Sequence, residues 1–449
     1  MPASYQEKEI NDVVVIGGGL MGSSAAWQLS KCGEDVLLLE QQNANYSSGS
    51  SFGEARISRS LGPTDDIFSY LQKQGIIETQ KLIDFLNQED GEPHSMEDIY
   101  TTSPVTYMYY DHLQADVDEL LDDQMDTYEY AATPDEAKNL FAVNAPNGLR
   151  IIREYKKHSG TMNPKALIHK LQKGIQLKGS TIWYNSKVTS LRKKGELYEI
   201  KISDSKTGQS KTISTKRIVS SAGPYTGKLL EKVAPYFSEI INPQRVFLGY
   251  FKIAKDRYAA YTVEQKKKIM DFYPVADFTP DVMFSMIEKI DEDGIPILKI
   301  GGHLKRSDIT NLNKVWKKKL SEEEIAWSRK STLKYLNFLN IPIEASELEL
   351  VNSYSCVYSL TKSEVPLVTN ILAEDGRNKN PDSVVIAGMS GVGAKGALAY
   401  GLIAANLLLD KADDSVMYQK TKRGLGFERL PEDEGGDGDG VKIFGRGIQ

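Results

Sequence analysis

The run Val13-Val14-Val15-Ile16, followed by Gly17-Gly18-Gly19-Leu20-Met21-Gly22, constrains the fold of this chain more than any other stretch. Four apolar residues enter a glycine loop, and Ser23 to Leu29 then reads as a helix. Gly17 permits a tight turn, Gly19 lets the backbone approach a pyrophosphate, and Gly22 lets the helix pack against the strand. The phosphates belong on the amides at the helix start, around Leu20 and Met21, where the dipole favours negative charge. A second apolar strand, Asp35 to Leu39, ends in Glu40, an acid placed to accept from ribose hydroxyls. Strand, loop, helix, strand and acid in this register predict a dinucleotide-binding βαβ unit over about residues 9 to 60. Glu40 suits NAD and FAD equally.

A chain of 449 residues predicts two or three domains, and 40% hydrophobic with 26% charged residues is enough for large cores. The net charge is -6 with no basic stripe, which argues against nucleic acid as a partner. Lysine runs such as 266–268 and 317–319 read as solvated helix faces. No segment approaches the roughly 18 apolar residues of a membrane helix. The polar N-terminus does not read as a secretory signal, and the ending GRGIQ lacks the Ser-Lys-Leu peroxisomal address. Cys32 and Cys356 are the only cysteines, too few for a disulfide framework, and no metal site is predicted. A cytoplasmic monomer or weak oligomer is the expectation.

Behind the βαβ unit, a serine- and glycine-rich loop, Ser47 to Ser51, leads into Phe52-Gly53-Glu54-Ala55-Arg56-Ile57-Ser58-Arg59, where small residues and arginines suit phosphates and ring edges. A helix is predicted over 70–88, then short aromatic strands such as Thr106 to Tyr110. Next come a helix over 165–173, a strand over 181–184 and a hairpin from Val188 to Ser203. The strand Arg217 to Ser221 runs into Ala222-Gly223-Pro224, which has the form of a second dinucleotide contact. Strands over 245–253, 281–286 and 295–301 follow, with a hairpin tip at Asp291-Glu292-Asp293-Gly294 and a polar helix over 321–339. The last strand, Ser383 to Ala387, enters a second glycine-rich loop, Gly388 to Gly396, and a small-residue helix over 397–409. The acidic, glycine-rich tail (432–440) is expected to be disordered. The predicted domains are a dinucleotide-binding unit from residues 1–92, 159–232 and 357–412, a substrate unit from 93–158 and 233–356, and an extension from 413 to 449.

Four stretches together resemble one family: the glycine loop, Gly53 to Arg59, Cys356-Val357-Tyr358-Ser359, and Gly388-Met389-Ser390-Gly391-Val392-Gly393-Ala394-Lys395. They are similar to the monomeric sarcosine oxidase and N-methyltryptophan oxidase branch of the D-amino-acid-oxidase superfamily of FAD-dependent oxidoreductases. By itself Cys356 reads as an inert buried cysteine. The resemblance implies instead a thioether to the flavin, with Tyr358 two residues on and Arg56 as a cation that stabilises charge on the ring. The two histidines that the family often carries just before this arginine stretch are replaced here by Ser51 and Phe52. By resemblance, Arg59 and Lys395 hold a substrate carboxylate, the first as a fork and the second as a point charge. Lys299 and His303, in Lys299-Ile300-Gly301-Gly302-His303, match a segment whose lysine assists oxygen reduction and whose histidine lies at the substrate side. Phe284 falls roughly where the family places a pocket tyrosine.

The expected fold is therefore α/β: a Rossmann-type FAD-binding domain of glutathione-reductase-like, D-amino-acid-oxidase type, plus a mixed-sheet α+β substrate domain. FAD contacts are expected at Gly17, Gly19, Leu20, Met21, Gly22, Glu40, Ser50, Arg56, Val188, Ala222, Gly223, Cys356, Tyr358, Gly391, Gly393 and Lys395. Lys299, His303, Arg59 and Lys395 are the expected catalytic group. The implied reaction oxidises a small secondary amine bearing a carboxylate, with molecular oxygen as acceptor. A carrier-linked dehydrogenase, a biosynthetic flavoenzyme acting on a larger metabolite and a non-catalytic flavin-binding protein stay open.

Overall fold

The computed structural model describes residues 10–59, 66–110, 128–279, 282–373 and 378–427. The tail at 432–440 and the predicted strand start at Asp281 lie outside the described residues.

The strand Asn11–Ile16 lies at the centre of an eight-stranded sheet, between Val36–Leu39 and Ser210–Ser220, and runs parallel to both. Thr181–Trp183 and Lys379–Ala387 extend this parallel core on either side. Alternation along a strand sends successive side chains to opposite faces. Val13 and Val15 therefore meet the helix Leu20–Lys31 and its neighbours, while Val14 and Ile16 pack among Leu37, Leu39, Ile218 and Phe237. Burial on both faces is why the strand is continuously apolar. The helices Ile67–Glu89, Pro164–Leu177 and Ala397–Leu408 complete the first layer, and the hairpin Ser186–Lys194 with Leu197–Asp204 widens the sheet beyond Ser210–Ser220.

The helix after the loop begins at Leu20, three residues earlier than its composition suggests, with Gly19 in extended conformation as its N-cap. The long helix begins at Ile67, because the Asp66 side chain accepts from the Ser69 amide and supplies the cap. The helix after Pro164 continues to Leu177.

A second, nine-stranded sheet runs in the order 307–308, 242–253, 296–302, 283–290, 275–277, 105–110, 149–154, 128–131, with Leu348–Leu360 paired along the far side of Asn242–Ile253. It is mixed: Val275–Asp277 and Val105–Tyr110 are parallel, and the remaining pairs are antiparallel. The helix Glu322–Phe338 starts in a capping box between Ser321 and Glu324, and its Tyr335 and Leu336 join the core around Phe251, Leu298 and Ile300. The Asp291 carboxylate accepts from the Asp293 and Ile295 amides and closes the hairpin between 283–290 and 296–302. A three-stranded sheet, 56–58, 160–162 and 100–102, carries the arginine segment between the larger ones. Leu348–Leu360 runs unbroken through position 356. No described helix is long and apolar enough to cross a membrane.

Candidate active site

A cleft of about 1100 Å³ is lined by both larger sheets and the loops at their ends. Glycine Cα atoms shape its first wall. A Cβ on Gly22 would lie 1.7 Å from the Gly17 carbonyl oxygen, so helix and loop approach too closely for any side chain. At Gly391 (φ +80°) a Cβ would enter the Tyr358 ring at 2.6 Å. Glycine thus permits two close approaches, helix to loop at Gly22 and loop to aromatic ring at Gly391.

All but one of the residues expected to bind the cofactor or substrate line this one cleft. Gly17, Gly19, Leu20, Met21, Glu40, Val188, Ala222 and Gly223 do so, as do Ser50, Arg56, Cys356, Tyr358, Gly391, Gly393, Lys395, Arg59, Lys299 and His303. Gly22 lies behind the loop as a packing residue. Glu40 is buried; its carboxylate accepts from the Gly18 amide at 2.7 Å and the Gln42 amide at 2.8 Å. Burial pushes this carboxyl up, and the amide hydrogen bonds oppose that rise.

The serine loop docks on Leu348–Leu360. Ser50 Oγ donates to the Val357 carbonyl at 2.9 Å, and the Gly49 amide donates to Tyr354 Oη at 2.9 Å. Arg56 donates to the carbonyls of Ala55, Ser50 and Phe52. Cys356 is buried, and burial pushes its thiol up against the lowering influence of Arg56. The thiolate expected at this position is therefore disfavoured by the protein surroundings alone.

Arg59 ends the Arg56–Ser58 strand, with its guanidinium 5.6 Å from the Tyr107 ring centre and 5.5 Å from that of Phe278. Behind it lies the fully buried Glu154, which accepts from Tyr107 Oη and, at 2.6 Å, from Ser159 Oγ. Lys395 lies in the turn Ala394–Gly396, its Nζ 5.9 Å from the Phe68 ring centre. His303 Nε2 is 3.1 Å from Glu364 Oε2, and Arg306 pairs with the other oxygen of the same carboxylate. Phe284 meets His303 edge-on at 5.9 Å.

Lys299 is 1% exposed and donates from Nζ to Glu288 and to the Ala55 carbonyl. Burial and the adjacent Arg56 push its ammonium down to about 7, while Glu288 pulls upward. Glu288, Glu364, Glu154 and Tyr107 were not among the expected site residues. Regular pairing back from the hairpin tip at 291–294 would set Glu288 opposite Leu298; a bulge, which leaves Lys299 paired with Met286, turns it toward the lysine. Glu364 and Glu154 carry no local signal either.

Fold and cleft together define a two-domain α/β dinucleotide-binding protein with cations gathered beside the nucleotide loop. The family profile described as "DAO: FAD dependent oxidoreductase" matches residues 12–407. The chain belongs to that family and is an FAD-dependent oxidoreductase. It is 24% identical over 415 residues to "Probable sarcosine oxidase" of Arabidopsis thaliana, covering 90% of each chain. A "Putative sarcosine oxidase" of Caenorhabditis elegans matches at 48% over 48 residues, 11% of this chain and 12% of that one. Among solved structures, L-proline dehydrogenase from P. horikoshii superposes with a TM-score of 0.69 at 17% identity, covering 95% of this chain and 99% of that one. NikD, titled an unusual amino acid oxidase essential for nikkomycin biosynthesis, gives 0.66 at 18%, covering 91% and 96%. The expected two-domain FAD fold is thus the observed one.

Proposed function

We propose that this chain oxidises a secondary amine that carries a carboxylate, an N-methyl or cyclic amino acid, giving an imine and hydrogen peroxide. The carrying observation is that Arg59 and Lys395, from opposite ends of the sequence, line the same cleft as the nucleotide loop, Lys299 and His303. A carboxylate takes an arginine fork through two hydrogen bonds and a lysine as a point charge, so the two side chains suit one acidic ligand. The Arabidopsis relative named as a sarcosine oxidase supports an N-methyl amino acid.

FAD, when bound, supplies the two-electron acceptance. Gly17, Gly19, Leu20 and Met21 would hold its pyrophosphate, with Glu40 for the ribose. Val188, Ala222 and Gly223 would line the same cofactor, and Ser50, Arg56, Cys356, Tyr358, Gly391 and Gly393 its reactive end. Arg59 and Lys395 fix the substrate carboxylate, a positioning contribution. Phe278, Val282, Phe284 and Val392 give the cleft an apolar wall that excludes water. His303, tied to Glu364, faces the substrate side. Lys299 stabilises negative charge developing on oxygen.

Peroxide formation from a panel of N-methyl amino acids, pipecolate and proline tests the reading; silence on every amine would sink it. Cys356 is proposed to tether the flavin. Yellow colour is expected to stay with the acid-precipitated protein and to move to the supernatant in Cys356→Ala, whereas colour in the wild-type supernatant would contradict the tether. One observation favours a second reading, a dehydrogenase that passes electrons to a carrier: the Lys299 charge is offset by Glu288. With oxygen as acceptor, Lys299→Met is expected to slow oxygen consumption at least about 100-fold, the effect of removing one preorganised stabilising group. Unchanged consumption would favour the carrier.

A further inference from the structure

We propose that Glu288 is a positioning residue of this site, keeping Lys299 as a cation by pairing with it and by clasping the loop that carries Arg56. This rests on the reading of Lys299 as the group that assists oxygen reduction.

Glu288 sits where the hairpin register shifts: Ile287 pairs with Leu298 and Lys289 with Ile297, leaving Glu288 as the extra residue of a bulge. Bulges re-aim side chains, and this one directs a carboxylate into the interior, where its side chain is 9% exposed. There it accepts from the Glu54 amide at 2.7 Å, the Ala55 amide at 3.2 Å and Lys299 Nζ. Lys299 in turn donates to the Ala55 carbonyl. Carboxylate and ammonium together thus grip the Ala55 peptide groups, one taking amides and the other giving to the carbonyl.

Gly53 is accommodated to the same cluster. At φ +114° its Cβ would lie 3.0 Å from both Arg56 Nη1 and Glu288 Oε1. The groups facing Lys299 are Arg56 from the loop, Glu288 from its own hairpin, Cys356 from Leu348–Leu360, and Tyr250, which pairs with Lys299 in the sheet register. Arg56 opposes a second positive charge here, as does burial, and Glu288 is the only carboxylate among these four facing groups. With glutamine at 288 the one remaining side-chain oxygen keeps the Glu54 or the Ala55 amide while the charge is lost, so Lys299 releases its proton at lower pH. Burial acts to raise the Glu288 carboxyl, but Lys299, the Glu54 amide and Arg56 together hold it below the usual range, so Glu288 carries its negative charge through the pH range in which Lys299 titrates.

The test is a pH titration of the holoenzyme labelled with 13C at lysine Cε, with the Lys299 resonance identified by its loss in Lys299→Met. The wild-type midpoint is expected near 7. Glu288→Gln is expected to lower it by about one pH unit or more, a tenfold loss of proton affinity. Glu288→Asp, which keeps the charge but draws it back by one methylene, should fall between. An unchanged midpoint in Glu288→Gln overturns the proposal; if that variant does not fold, an unchanged midpoint in Glu288→Asp does so. The flavin absorbance of the same samples separates the two readings. A spectral step that tracks the lysine midpoint supports both. A Glu288-dependent lysine midpoint with no spectral step upholds the pairing and removes Lys299 from the flavin.

Discussion

Arg59→Met is expected to lower kcat/KM for the amino-acid substrate by at least about 30-fold, since truncating one partner of a buried, hydrogen-bonded charge pair costs about 2–5 kcal/mol. The guanidinium lies against the rings of Tyr107 and Phe278, with Glu154 buried behind, so its place is set from the second sheet before any substrate arrives. Arg59→Lys keeps the charge but loses the planar fork, and only part of the activity should return. The substrate amide is the discriminating control. It should be a poor substrate of the wild type and nearly indifferent to the change at position 59. An equal loss for acid and amide would mean that Arg59 supports the fold and does not hold a carboxylate.

Gly22→Ala is expected to abolish flavin binding and to remove most of the folding stability. The added Cβ would lie 1.7 Å from the Gly17 carbonyl oxygen, a backbone atom that cannot rotate away. Relief requires the helix Leu20–Lys31 to withdraw from its strand, breaking a core that includes Val13, Ala25, Ala26 and Trp27. Overpacking alone costs about 1–3 kcal/mol where neighbours can yield, and backbone overlap of this depth costs more. That compares with a total stability of about 5–15 kcal/mol for a domain. Gly223→Ala is the matched control: φ is +55° and no atom lies within 4 Å of the added Cβ, so the cost is only about 1–2 kcal/mol of left-handed strain. Tm and bound flavin per chain should fall sharply in the first variant and modestly in the second. Similar values for the two would contradict the packing account.

The nucleotide unit was legible because its determinants are local. The apolar run, the three spaced glycines and Glu40 act within 30 residues, and the strand is apolar throughout because both faces are covered. Residues far apart in sequence, such as Arg59, Lys299, Cys356 and Lys395, could be brought together only through family resemblance, and the structure places them in one cleft. Leu348–Leu360 was not evident as a strand, because Glu349 and Asn352 face solvent and, with the half-buried Ser353, break its apolar pattern. Glu364 and Glu154 were hidden for a different reason. A buried carboxylate is recognised by its partners, and His303 and Tyr107 lie 61 and 47 residues away from them. Glu288 was hidden by its bulge: the register pairs Lys299 with Met286, and the extra residue alone turns the carboxylate toward the lysine.

Anaerobic mixing of the purified holoenzyme with N-methyl and cyclic amino acids tests the central claim most directly. At least one carboxylate-bearing secondary amine should bleach the yellow flavin absorbance, and readmitting oxygen should restore it with one peroxide per flavin. Flavin that stays oxidised with every such amine would contradict the account.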